Sequence, residues 1–197
     1  IGTAITSAIQ LVFEHAGWLG GAIYGFFYAP LVITGLHHMF LAVDFQLMGS
    51  SLKGTYLWPI VAISNVCQGS AAFGAWFIYK RRKMAKEEGL ALTSGVSAFL
   101  GVTEPAMFGV NLPLKVPFFA AICTSSVLGA IIGANRVLGN VGVGGVPAFI
   151  SIQSKYWYIY GPVTLLAIIV PAILTVIFSK FTNIKAKKMV ENPENVK

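Results

Sequence analysis

The stretch Leu100-Gly101-Val102-Thr103-Glu104-Pro105-Ala106-Met107-Phe108-Gly109 sets a carboxylate among residues that are otherwise small or apolar. Long runs of Ala, Val, Leu, Phe and Gly flank it on both sides. Leaving an unpaired carboxylate in hydrocarbon costs several kcal/mol, so such a group is normally paired, protonated or bound to a ligand. Pro105 lacks a backbone donor and pushes the residue before it out of the α region. Glu104 is therefore expected at a chain break rather than in mid-helix. Breaks at membrane depth persist only where they line a cavity or pack inside protein. The stretch predicts a broken membrane segment and makes Glu104 a candidate site residue.

Composition agrees with a membrane setting. Of 197 residues, 56% are apolar and 11% charged, and the mean hydropathy is +0.74. Soluble domains carry about 25% charged residues, so an integral membrane chain is expected. The net charge of +7 does not point to nucleic acid, because the basic residues sit beside hydrophobic spans, the pattern of cytoplasmic loops. Cys67 and Cys123 lack metal-ligand spacing and are expected to be buried free thiols. The sequence opens at Ile1 without an initiator Met or a signal peptide, and we read it as part of a longer chain.

Spans follow from the apolar runs. Residues 17–36 are long enough to cross a bilayer, rich in glycine for close helix approach, and expected to kink at Pro30. Residues 1–13 read as a shorter apolar helix. Residues 56–79 form a second span with aromatic residues at each end, followed at once by Lys80-Arg81-Arg82-Lys83 and Lys86. These cations mark the cytoplasmic side, which Lys180, Lys185, Lys187 and Lys188 should share. The number of complete crossings between the two basic clusters is then even. Residues 116–134 and 159–179 are good spans, whereas 89–112 is interrupted and 141–152 is short and glycine-rich. Reading the latter two as re-entrant or broken segments satisfies the parity, and such segments mark a transporter's binding site. Residues 1–182 are thus read as a membrane transport domain and 183–197 as a polar cytoplasmic tail. The expected fold class is an all-α integral membrane protein with transmembrane helices and re-entrant segments.

Several polar residues lie in apolar surroundings: His37, His38, Asp44, Gln46, Asn65, Gln68, Thr103, Asn111 and Gln153. Some could simply bond helix to helix, at about 1 kcal/mol each. Together with aromatic faces such as Trp58, Tyr156 and Trp157, they supply the donors, acceptors and stacking surfaces a neutral polyhydroxylated ligand requires. A cation pathway would want more carboxylates than Asp44 and Glu104; an anion pathway would want buried Arg or Lys. Adjacent histidines on a helix point about 100° apart, so only one of His37 and His38 is expected to face a given site. A zinc pair is not expected, since helical zinc ligands favour four-residue spacing. The Gly139-Asn140-Val141-Gly142-Val143-Gly144-Gly145 run has no preceding strand and is read as close backbone packing, not a dinucleotide loop.

Gly35-Leu36-His37-His38, followed by Gly101-Val102-Thr103-Glu104-Pro105, resembles the paired signatures G-L-H-H (or G-I-H-Q) and G-I/V-T-E-P. These belong to the membrane-embedded IIC permeases of bacterial phosphotransferase systems, glucose/glucoside superfamily. The resemblance covers nearly the whole chain apart from the polar tail. Three further stretches look like the trehalose permeases: residues 42–48, residues 54–59, and Gly142-Val143-Gly144-Gly145-Val146-Pro147 running on to Ile150-Ser151-Ile152-Gln153. Sucrose permeases are similar but tend to carry Glu where Asp44 stands.

The resemblance implies binding of a disaccharide outside, trehalose ahead of sucrose, and translocation coupled to phosphorylation of its 6-hydroxyl by a phosphocysteine on a IIB domain. It implies Glu104 and His37 as the catalytic pair near that hydroxyl, with His38 ranked below them. His38, Asp44, Asn65, Gln68, Thr103, Asn111 and Gln153 are the expected substrate-binding residues. The implied partners are the IIB domain, IIA and the general phosphotransferase proteins, the lipid bilayer, and a second copy in a full-length homodimer. No metal or cofactor is implied. An ion-coupled sugar transporter without phosphorylation is the rival reading, and a non-transporting sugar sensor is a third.

Overall fold

The computed structural model describes residues 2–50 and 53–181; the tail expected over 183–197 lies outside the described residues. The helices are α1 Gly2–Ile33, α2 His37–Met48, α3 Leu57–Arg81, α4 Ala85–Phe99, α5 Glu104–Ala106, α6 Leu112–Leu114, α7 Val116–Ala134 and α8 Trp157–Phe181. A π-helical turn, Met107–Asn111, joins α5 to α6, and 3-10 turns cover Val146–Ser151 and Ser154–Tyr156. Four stretches, Thr6–Ile33, Leu57–Arg81, Val116–Ala134 and Ser154–Lys180, are long and apolar enough to cross a membrane. The fold is all-α and membrane-integral.

α3 is the centre of the bundle. Every residue from Pro59 to Ala72 is buried, as expected of a helix surrounded on all sides. Its polar residues Ser64, Asn65, Gln68 and Ser70 therefore face protein. Against α8, Ser70 donates to the Ile168 carbonyl at 2.6 Å and accepts from the Ala172 amide at 3.1 Å. The hydroxyl sits in the helix ladder beside Pro171, where a backbone donor is missing. Tyr160 reaches the Pro59 carbonyl at 3.4 Å, so α3 and α8 run parallel and end together.

α1 and α7 meet through small residues at four-residue spacing. A methyl group on Gly17, Gly21 or Gly25 would stand 2.2, 2.0 or 2.4 Å from the carbonyl oxygen of Gly133, Gly129 or Ser125. Only side chains no larger than a hydrogen or a hydroxymethyl permit this approach. The pairing order makes the two helices antiparallel.

The helix expected over residues 1–13 and the span over 17–36 form one element. It bends at Ala16 (φ −136°, ψ 51°), whereas Pro30 lies near its C-terminal end. The Arg136 guanidinium donates to the Glu14 carbonyl beside this bend, taking an acceptor that a continuous helix would use internally. Cys67 is fully buried, but Cys123 is exposed on α7, contrary to expectation, because it lies off the glycine face that meets α1.

The two broken segments enter from opposite ends and touch. α4 climbs against α3, with Phe99 and Gly95 against Gly69, then turns at Gly101 (φ +100°) and descends through α5, the π turn and α6. Pro105 occupies the first turn of the descending limb, where its missing donor costs nothing. Pro113 cannot donate to the Gly109 carbonyl, consistent with the π turn just before it. The segment after α7 is anchored by Thr55–Gly139 and Asn140–Ser151 backbone bonds. Its tip packs on the first: a methyl group on Gly145 would stand 2.2 Å from the Phe99 carbonyl oxygen.

Candidate functional site

A cavity of about 270 Å³ lies where α1, α2 and α3 meet the two broken tips. α1 contributes Tyr24 and Tyr28; α2 contributes His37, His38 and Asp44; α3 contributes Asn65, with Trp58 at its start. Thr103 and Glu104 come from the first tip, Gly142 and Gly144 from the second. Gly144 admits the backbone because a methyl group there would stand 2.9 Å from Asn65 Nδ2 and 3.1 Å from the Gly101 Cα.

Gly35 (φ +75°) reverses the chain after α1, so His37 and His38 open α2 at the mouth of the cavity. Both imidazoles line it, with ring centroids 3.9 Å apart and planes at 37°. This corrects the expectation that only one would face the site. The separation expected from a helix wheel fails here because the pair sits in the first helical turn, beside the chain reversal, and the rings lean together. The Tyr28 ring meets His37 edge-on at 6.3 Å. Burial and the neighbouring His38 hold His37 below the usual imidazole value, against smaller pulls from the Leu31 carbonyl and then the Glu104 carboxylate.

Asp44 is only 1% exposed and accepts from the Thr55 hydroxyl at 2.5 Å. Thr55 Oγ1 in turn accepts from the Leu57 amide at 3.0 Å, which fixes the hydroxyl. Burial pushes the Asp44 carboxyl up to about 7, although the Thr55 bond acts in the opposite sense.

Glu104 is exposed rather than enclosed, a further departure from expectation. As the first residue of α5 it follows the turn at Gly101 and lines the cavity. The Tyr24 hydroxyl, His37 Nδ1 and Trp58 Nε1 are buried without a hydrogen-bond partner among the described residues. Each such group costs about 1–3 kcal/mol until a ligand satisfies it. The arrangement suits a neutral, hydroxyl-rich molecule with one end near Glu104.

The cavity thus gathers Glu104, His37, His38, Asp44, Asn65 and Thr103 of the residues expected from sequence. Gln68, Asn111 and Gln153 stand outside its lining. Asn111 Nδ2 donates to Gln68 Oε1 at 2.7 Å and to the Gln68 carbonyl at 2.9 Å, tying the descending limb to α3. Gln153 Nε2 reaches the Lys53 carbonyl at 3.3 Å. The rings of Trp157 and Tyr156 are elsewhere too; Trp157 packs on Phe149 with ring centroids 5.1 Å apart and planes tilted by 43°, and donates to the Ile152 carbonyl. Tyr24 and Tyr28 escaped the sequence reading. Their four-residue spacing inside an apolar span was the available signal.

A family model described as "Phosphotransferase system, EIIC" matches residues 1–126. A trehalose-specific EIIBC component of the phosphotransferase system from Bacillus subtilis (strain 168) is 50% identical over 182 residues, covering 92% of this chain and 38% of that protein. The trehalose-specific EIIBC component of Escherichia coli (strain K12) is 45% identical over 177 residues, covering 89% and 37%. A sucrose-specific EIIBC component from Staphylococcus xylosus is 45% identical over 166 residues, covering 82% and 34%. The chain therefore spans well under half the length of these relatives. No solved structure matches it.

Proposed function

The chain belongs to the phosphotransferase system EIIC family, a family of bacterial membrane proteins, and from that premise we propose that it forms the sugar-binding part of a trehalose permease. The observation that carries this reading is the cavity itself. It joins two carboxylates, two imidazoles and an amide with unpartnered Tyr24, His37 and Trp58 polar atoms. Ligand pockets commonly run from about 300 to 1,000 Å³, so this one takes part of a disaccharide and leaves the rest toward its open side. Permeases of this system transfer phosphate to sugar as they translocate it, and we assign this chain the sugar-positioning share of that step.

The proposed chemistry is a phosphoryl transfer to the sugar's 6-hydroxyl. The hydroxyl donates a hydrogen bond to Glu104, and His37, held neutral, meets the same hydroxyl region through its free Nδ1. The hydroxyl oxygen attacks the phosphorus of a phosphocysteine on the IIB domain. A new O–P bond forms as the S–P bond breaks, the cysteine leaves as thiolate, and the hydroxyl proton passes to Glu104. Exposure at the open side suits Glu104 to this role, since the donor domain must reach the same hydroxyl. α1 ends beside the start of α7, at the end where α3 and α8 finish in basic residues. The histidines of α2 follow directly from that end, the cytoplasmic side on which a phosphodonor would arrive.

Sealed vesicles holding the full-length protein test the reading against an ion-coupled transporter. With the phosphodonor proteins and phosphoenolpyruvate inside, external trehalose is expected to appear inside as trehalose phosphate, at a rate unaffected by collapsing ion gradients. Free trehalose accumulating under a proton or sodium gradient would contradict it.

A further inference from the structure

The basic end of the α3–α8 pair holds a recess that the sugar site does not use. Arg81, Arg82 and Lys180 line it together with Phe77, Val176 and Ser179, enclosing about 150 Å³. Cations at a cytoplasmic boundary are ordinary. Less ordinary is that the parallel run of α3 and α8 brings cations far apart in sequence around one hollow. That hollow continues into an apolar groove of about 380 Å³ between the same helices. Phe77 and Val176 line both, so cationic recess and groove are one surface.

The groove is lined by Phe73, Trp76, Phe77, Ala172, Ile173 and Ile177 among others, and carries no charged residue. Arg81 stacks over the Phe77 ring at 4.5 Å, at the junction of recess and groove.

We propose that this surface binds one anionic phospholipid, its phosphate between Arg81 and Lys180 and an acyl chain along the α3–α8 groove. The continuity of recess and groove selects a lipid over a free anion, because a soluble phosphate would leave the apolar groove unmatched. The site is separate from the sugar cavity and does not depend on the sugar reading. Each Lys or Arg near an anionic membrane surface contributes about 1 kcal/mol, roughly a fivefold change in retention.

The test uses full-length protein purified from membranes and equilibrated with equal amounts of phosphatidylglycerol and phosphatidylcholine of matched chains, then analysed by native mass spectrometry. Retention of phosphatidylglycerol at least tenfold above phosphatidylcholine is expected. Arg81→Gln with Lys180→Gln should lower it about 25-fold, the product of two such steps. The charge-keeping Arg81→Lys with Lys180→Arg pair should lower it far less, which separates lost charge from misfolding. A photoactivatable side chain at Ile173 should yield a lipid-mass adduct. Equal retention of both lipids, unchanged retention in the Gln variant, displacement by millimolar inorganic phosphate, or a protein–protein adduct at Ile173 would each overturn the proposal.

Discussion

At Asp44, burial and a hydrogen bond act in opposite senses, and burial wins, leaving the carboxyl at about 7. A carboxyl raised from the usual value near 3.9 binds more protons in the folded state across the interval between the two values. Stability contributed by Asp44 is therefore full below about pH 4 and is lost as pH rises toward about 7. His37 contributes with the opposite sign, because its lowered value makes the folded state bind fewer protons. The difference between wild type and Asp44→Asn isolates the carboxyl. Thermal unfolding of the full-length protein should show the wild type losing stability from pH 4 to 7 relative to the variant. Parallel curves would show that Asp44 is not the source. The histidine pair gives a second residue-scale expectation. Only His37 has a buried, unpartnered ring nitrogen, so His37→Ala should weaken sugar binding at least tenfold and His38→Gln less than threefold, read by titration calorimetry. Equal losses would assign the two rings equal roles.

Among the elements, the α1–α7 contact is the most sharply determined. A methyl group on Gly21 would meet the Gly129 carbonyl oxygen at 2.0 Å, whereas one on Gly20 meets the side chains of Val12 and Phe13 at 2.9 and 3.3 Å. Backbone cannot yield as side chains do. Gly21→Ala should cost about 1–3 kcal/mol and Gly20→Ala clearly less, checked by thermal unfolding. The glycine content of residues 17–36 was visible in sequence, but its partner was not, since pairing Gly17 and Gly21 with Gly133 and Gly129 is a long-range choice. The broken segment at Thr103-Glu104-Pro105 was legible because proline and an apolar context leave few alternatives. The bend at Ala16 was not. It coincides with an Arg136 contact to Glu14 from across the chain, so no local pattern announces it. For the same reason Gln68 and Asn111 looked like ligand groups: only tertiary structure shows that they bond to each other.

On the scale of the whole molecule, one central helix carries two broken segments whose tips meet at the cavity. α3 and α8 finish together in basic residues, and α1 ends there too, leading through Gly35 to the histidines that open α2. Such an arrangement keeps irregular backbone off the lipid and places polar groups at the meeting point of the segments. It also leaves the Glu104 carboxylate exposed where it lines that cavity. The proposed role of that carboxylate as proton acceptor is open to a direct test. With full-length Glu104→Gln protein and a complete phosphodonor system, the rate of trehalose phosphate formation is the deciding measurement. Trehalose binding should stay within about threefold of wild type while phosphorylation falls at least 100-fold, the scale of a lost general base. Phosphorylation at the wild-type rate would contradict the account.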